Sequence, residues 1–252
     1  MKTFLASENL ADAGYISTDT AWPTLPATYL QQEWFAKKWR SKAVPCWAQA
    51  NLAGAADINV VALGGFNGLA TTQMRVRIGD DPDFASSAYD SGAMTGVCDP
   101  ASGQFVHILE EAVSGQYVRI DMADEALSYA QAGRIFVSGG MFFEINDSYG
   151  RAKGYASLSR RSQSLGGQIY IDRKPNWRRW KLSFDNLNAD ESLILQEVDR
   201  VNGTEIDLLI SIDALGEHVS RDTIIGLVRD PTDIVARNVL RDSKTYVIEG
   251  RL

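Results

Sequence analysis

Apolar residues alternate with polar ones along much of this chain, a period of two that predicts strands rather than helices. In Gln73-Met74-Arg75-Val76-Arg77-Ile78 the apolar side chains Met74, Val76 and Ile78 take one face and both arginines the other. Phe105–Leu109 and Tyr117–Asp121 read as two further strands joined through Ser114-Gly115. Ile58–Leu63 is a short, branched, continuously apolar run that ends in glycine, the pattern of a strand buried on both faces. A strand over Gly133–Val137 breaks at Gly139-Gly140, where a domain boundary is expected. Beyond it, Gly167–Asp172 and Arg179–Phe184 alternate as two-sided strands, and Glu205–Ile212, Ile224–Val228 and Lys244–Ile248 complete the strand set. Helical spacing is clear in one place, where Ala189, Leu193, Ile194, Glu197, Val198 and Val201 recur and Asn188 or Asp190 can cap. A second, short helix is expected over residues 31–39. Residues 1–30, with Pro23 and Pro26, read as an extended arm or edge strand, because each proline lacks an amide donor. The expected fold is mainly β: two β-sandwich units with one or two short helices. One covers residues 1–140 with its N-terminal arm, the other residues 141–252 with the helix near 189–201.

A chain of 252 residues accommodates two such domains, and its 45% hydrophobic content is ordinary for a folded protein. The net charge of −7 disfavours a general nucleic-acid binder but hides an asymmetry. Arg151, Lys153, Arg160, Arg161, Arg173, Lys174, Arg178, Arg179 and Lys181 face a single acid, Asp172, within 31 residues. Trp177 and Trp180 interleave with these cations, so the segment can serve as a subunit interface, bind nucleic acid or an anionic glycan, or form a solvated strand face with tryptophans in the core. The interface is the favoured reading. Cys46 and Cys98 form no motif and are expected to be reduced and partly buried. No apolar run suits a secretory leader before Glu8 or approaches the ~20 residues of a membrane span, so a soluble protein made in a cytoplasm is expected.

Catalytic patterns are absent from the sequence. His107 alternates within an apolar strand, and His218 lies in a polar loop between Glu217 and Val219. Asp80, Asp81 and Asp83 surround Pro82 and lack the spacing of a calcium loop, which leaves a turn. Gly64-Gly65-Phe66-Asn67-Gly68 lacks the Gly-Lys-Ser/Thr ending of a phosphate loop and reads as a connection that needs positive φ angles. The sequons at Asn146 and Asn202 read as accidental. No cofactor, metal or enzymatic activity is expected.

The series Trp39-Arg40-Ser41, Ile58–Leu63 with Gly64-Gly65-Phe66-Asn67-Gly68, Met74–Ile78 and Asp90-Ser91-Gly92 resembles the discoidin-type, galactose-binding-like jelly roll found in tailed-bacteriophage virion proteins. Trp177–Phe184, Leu187 and the helix after them, with the ending Lys244–Glu249, are similar to a region of minor tail, distal tail and baseplate proteins. The resemblance implies two jelly-roll-like units in a non-enzymatic tail-tip subunit of the virion, assembling in a ring with itself and with tube, hub and tape-measure proteins. No binding residues carry over from the resemblance; the candidate interface residues, read from the charge pattern, are the nine cations named above together with Trp177. The alternative is a carbohydrate-binding module that attaches to a host surface glycan, with Trp22, Trp34 and Trp47 as stacking candidates, although a core position is the ordinary expectation for each tryptophan.

Overall fold

A computed structural model describes residues 2–251 and is mainly β. Besides two-residue strands at Trp39–Arg40, Cys98–Asp99 and Gln131–Ala132, the strands in chain order are first β1 (Phe4–Ala6), β2 (Tyr15–Thr18), β3 (Cys46–Gly64), β4 (Gln73–Gly79) and β5 (Tyr89–Asp90). Then come β6 (Gln104–Ala123), β7 (Arg134–Ser138), β8 (Met141–Phe142), β9 (Ala152–Ser157), β10 (Arg160–Gln163), β11 (Ile169–Asp172) and β12 (Asn176–Leu187). Helix α1 (Ala189–Asn202) follows, and the chain ends with β13 (Leu208–Ser211), β14 (Thr223–Val228), β15 (Val235–Ala236) and β16 (Asp242–Gly250). The chain forms two compact units. Unit 1 comprises Met1–Asn146 and Asp207–Ile225, and unit 2 comprises Asp147–Ile206 and Gly226–Leu252. The chain therefore passes between units three times, not once at Gly139-Gly140.

Unit 1 is built on the antiparallel order β7-β3-β6-β4-β5, with β2 added alongside β3. The two strands expected at 105–109 and 117–121 are one strand, β6, and Ile58–Leu63 is the second half of the 19-residue β3. These two strands pair along their length, with register shifts between Asn51 and Ala56 and between Ile58 and Val60. Over residues 58–63 both faces of β3 are buried. Ile58, Val61 and Leu63 join a core with Trp39, Phe105 and Ile135. Val60 and Ala62 join a second core with Phe4, Phe136, Leu209 and Ile225. That second layer is the order β8-β1-β13, so Phe4–Ala6 is a fully buried strand with a neighbour on each side, not part of an arm. Over residues 46–52 the same β3 turns Cys46, Ala48, Ala50 and Leu52 into the core, and Trp47 and Gln49 lie on the opposite face of the sheet.

The expected helix over 31–39 does not form. A 3-10 turn covers Ala27–Gln31, and the chain then bends so that Phe35 lies buried against two glycines. A methyl group at Gly64 would meet the Phe35 ring, and one at Gly133 its carbonyl oxygen, so both positions require glycine for this close approach. Arg134, 2% exposed, fastens the adjoining segments: it donates a bidentate pair to Asp12, one bond to the Gln31 carbonyl and one to the buried Asp207 at 3.2 Å.

In unit 2, β12 is flanked by β9 and β16 in antiparallel pairing. Trp180, Leu182, Phe184, Leu187, Tyr246 and Ile248 are buried, together with Leu195 and Val198 of α1. The helix starts with a capping box. Asn188 Oδ1 accepts from the Glu191 amide, and Glu191 accepts from the Asn188 amide, so Asn188, not Asp190, is the cap. Lys244, buried in β16, donates to Asp199 of α1 and to the Thr232 carbonyl, while the Tyr246 hydroxyl donates to Asp199. Beyond this packed part, β9 and β12 continue into the paired strands β10 and β11, whose residues are all exposed.

Candidate functional site

The outer face of the β3, β6 and β4 ladder carries a polar cup in unit 1. Strand pairing sets two rows across it, Trp47–Asp121–Arg75 and Gln49–Arg119–Arg77. The alternation of Gln73–Ile78 thus holds, with Met74, Val76 and Ile78 buried and both arginines outward. Asp121 lies between two guanidiniums. Arg77 donates to both of its oxygens at 2.8 and 3.0 Å, and Arg119 Nε donates at 3.0 Å. The Arg119 guanidinium also lies over the Trp47 indole, 4.3 Å from the ring centroid. Trp47, Arg75, Arg119, Asp121 and Asp19 line an open cavity of about 390 Å³.

The segment Asp90-Ser91-Gly92 holds Arg75 in place. Asp90 accepts both donors of the Arg75 fork and one from the Gly92 amide, and Ser91 exchanges bonds with the backbone of Val76. Gly92 has a φ of +65°, a conformation that glycine adopts at little cost. The hydrogen bond from Arg75 pulls the Asp90 carboxyl down to a pKa of about 2. On the other side, Asp81 accepts the amides of Asp83 and Ala85, and the Pro82 carbonyl accepts from Gln49. The Asp80–Asp83 stretch is therefore a turn, as its composition indicates.

The remaining parts of the opening motif clamp the loops beside the cup. Ser41 pairs by backbone and hydroxyl with Ala130, Arg40 donates twice to Gln131, and Asn67 exchanges side-chain bonds with Tyr129 and Gln131. Gly65 has the positive φ expected of this connection. These residues hold loops together, and the cup arginines Arg75, Arg77 and Arg119 are residues that sequence reasoning left unmarked as site candidates.

None of the three stacking candidates occupies a core position. Trp47 is half-buried, whereas Trp22 and Trp34 are 49% and 58% exposed. Surface loops carry the latter two, where Trp22 bridges Leu25 and Lys37 lies over the Trp34 ring at 4.4 Å. Trp47 joins a cavity with polar groups around it.

The ten interface candidates fall on the two-tiered hairpin of unit 2. Arg160, Arg161, Arg173 and Lys174 belong to or flank its outer pair, β10 and β11. Lys153, Trp177, Arg178, Arg179 and Lys181 sit in the inner pair, β9 and β12. Arg151 precedes β9 and pairs with Asp147 at 3.2 Å. Arg178 and Lys153 flank the buried Trp180 ring at 4.7 and 5.1 Å, and Arg179 reaches Glu249 at 3.7 Å. Where the hairpin bends, Leu158, Arg160, Lys174, Pro175 and Trp177 line a hollow of about 450 Å³.

The other chemical groups are tied into the fold. His107 Nε2 shares a 2.8 Å hydrogen bond with the Tyr89 hydroxyl, and burial lowers its pKa to about 4. His218 is exposed in a loop. Cys46 and Cys98 are free and buried, with burial raising their pKa values to about 11 and 12, which keeps both thiols protonated. Asn146 accepts from the Thr3 amide, and Asn202 is buried at the end of α1. Among the described residues, no group of three or more His, Cys, Asp or Glu side chains is placed to hold a metal ion, and no helix is long and apolar enough to cross a membrane.

Neither a scan against protein-family models nor a search of curated proteins gives a match. Solved structures are similar at low identity. The family 32 carbohydrate-binding module of C. perfringens NanJ, solved with galactose, is 14% identical with a TM-score of 0.45; the match covers 54% of this chain and 99% of that one. The fifth such module of a Clostridium perfringens GH89 protein, solved with GalNAc-β-1,3-galactose, is 12% identical with a TM-score of 0.44 and coverages of 52% and 100%. Chitosan-binding module 1 of a chitosanase/glucanase from Paenibacillus sp. IK-5 is 19% identical with a TM-score of 0.42 and coverages of 52% and 99%.

Proposed function

We propose that this chain is a non-catalytic binding protein whose unit 1 holds a saccharide in the cup around Trp47. One observation carries the reading: a half-exposed indole forms the wall of a cavity of about 390 Å³ that also presents Arg75, Arg119, Asp121 and Asp19. A pyranose offers the complementary chemistry, an apolar C–H face for the indole and rim hydroxyls for charged hydrogen-bonding partners. Guanidinium forks donate to adjacent hydroxyls and carboxylates accept from them. Three arginines face Asp19, Asp90 and Asp121 in and beside the cup, so the charges balance and favour a neutral sugar over an anionic one. The ion pairs fix the side chains before a ligand arrives, which lowers the ordering cost of binding.

A glycan array followed by calorimetry tests this reading. Expected is weak binding, with a Kd on the order of 1 mM for a monosaccharide, that disappears in Trp47→Ala. An array without a hit, or undiminished binding by Trp47→Ala, would overturn it.

The exposed basic hairpin favours a second reading. In it the chain is a structural subunit of a phage tail tip, located in the virion and assembling with copies of itself and with tube, hub and tape-measure proteins. Labelling of virion tips by an antibody against this chain is expected in that case, and unlabelled virions would exclude it.

A further inference from the structure

Residues 152–181 leave the packed part of unit 2 as two successive strand pairs, β9 with β12 and β10 with β11. A two-stranded hairpin is marginal in water unless something packs on a face or pairs with an edge. Here neither face of the outer pair is covered, although Ile169, Tyr170 and Ile171 lie on it and Leu165 occupies its turn. Strand register places Arg160 with Asp172 and Ser162 with Tyr170 on one face, and Arg161 with Ile171 and Gln163 with Ile169 on the other. Both faces therefore mix apolar and hydrogen-bonding groups, as the buried core and polar rim of a protein interface do.

The charge distribution identifies the partner. The segment Arg151–Lys181 carries nine cations and one anion, whereas unit 1 carries twenty Asp and Glu against ten Lys and Arg. The chain thus holds a strongly basic apolar arm and a strongly acidic unit of its own. The arm and unit 1 therefore carry opposite net charge, so two copies supply both signs without any further component.

We propose that the arm of one copy docks on the acidic surface of unit 1 in a second copy. This rests on the assembly reading above and is independent of whether the cup binds sugar. Because each copy has one arm and one acidic unit, the contact is head-to-tail, and it builds a ring if the rotation closes and a filament if it does not. Aromatic and basic interleaving also suits a nucleic acid, but the intact chain offers its own acidic surface as the competing partner.

Analytical ultracentrifugation of the full chain decides the matter, using wild type, the charge reversal Arg160→Glu/Arg161→Glu/Arg173→Glu, and the apolar variant Ile169→Ser/Ile171→Ser. All five positions are exposed, so the variants keep the fold, and thermal unfolding monitored by circular dichroism confirms that they do. Expected is concentration-dependent association of the wild type that weakens at least about tenfold when salt is raised from 0.05 to about 0.5 M. The charge reversal is expected to lose it, and the apolar variant to retain a weakened form with the same salt dependence. Association unchanged in both variants would overturn the arm proposal while leaving assembly by another surface standing. A monomer at every concentration would overturn both. A wild type that stays monomeric but binds single-stranded DNA tightly and salt-sensitively would assign the arm to nucleic acid instead.

Discussion

The two units treat their apolar residues differently. Of the twenty exposed large hydrophobic residues among the described positions, fourteen lie in unit 2, although it has about half as many residues as unit 1. Unit 1 buries β3 on both faces over residues 58–63 and leaves outward a sheet face of ion pairs. Unit 2 buries one row of β12 and leaves Leu193, Ile194 and Val201 of α1, Val239 and Leu240 near β15, and the whole outer hairpin uncovered. Unit 1 is finished as a folded body in its own right. Unit 2 leaves a larger share of its large apolar side chains exposed, which is the surface that the assembly proposal uses.

The contrast can be broken first in the cores. Phe136→Ala in β7, between the two cores of unit 1, is expected to cost about 3–5 kcal/mol in urea unfolding. Arg134→Met removes the buried guanidinium that Asp12 and Asp207 share and is expected to cost a similar ~3–5 kcal/mol. Its counterpart Lys244→Met leaves Asp199 nearer to solvent, so a smaller loss of about 1.5–3 kcal/mol is expected. Equal losses in the two cation variants would show that the units bury charge alike, against the geometry.

Acid sharpens the comparison next. The pKa of His107 is depressed to about 4 in the fold, whereas its unfolded value is near 6.5. Unfolded chains therefore take up a proton that folded ones refuse. The stability contribution is complete above pH 6.5 and is lost as pH falls toward 4, amounting to about 3 kcal/mol at most. Denaturation midpoints of wild type and His107→Gln should diverge from pH 7 to pH 4, and parallel curves would rule the effect out. Asp90 acts in the same direction lower down, its contribution disappearing between pH 3.8 and about 2, but as an exposed pair it supplies under about 1 kcal/mol. Smallest of all, Tyr170→Ser on the outer hairpin should change the stability of the isolated chain by no more than about 0.5 kcal/mol. A large loss there would mean that the arm is already covered.

Local patterns in the sequence were the reliable ones. The period-two runs at 73–78 and 179–184 appear as β4 and part of β12, because one covered face imposes its period on the residues that meet it, whereas α1 forms where helical spacing was expected but buries Leu195 and Val198 and leaves Leu193, Ile194 and Val201 exposed. Gly167–Asp172 alternates just as well, yet β11 is exposed on both sides, since periodicity records which residues share a face and not whether anything covers it. The cup was legible only in fragments. Arg75 and Arg77 on one face could be read from their spacing, but pairing with Asp121 forty-four residues away depends on strand order. Phe35 against Gly64 and Gly133 was hidden for the same reason, and a short helix was expected in its place.

The three crossings of the chain between units bear on how it is made. A nascent chain stopped at residue 206 has Arg134 in place but not Asp207, and β1 with β8 but without β13 on its other edge. The ribosome thus finishes the arm and α1 before it supplies the strands that close unit 1, and the first domain to begin is not the first to be complete. Stalled chains ending before and well after Ile225 should differ sharply in the protease resistance of residues 1–146, and equal resistance would show that unit 1 does not wait for its last strands.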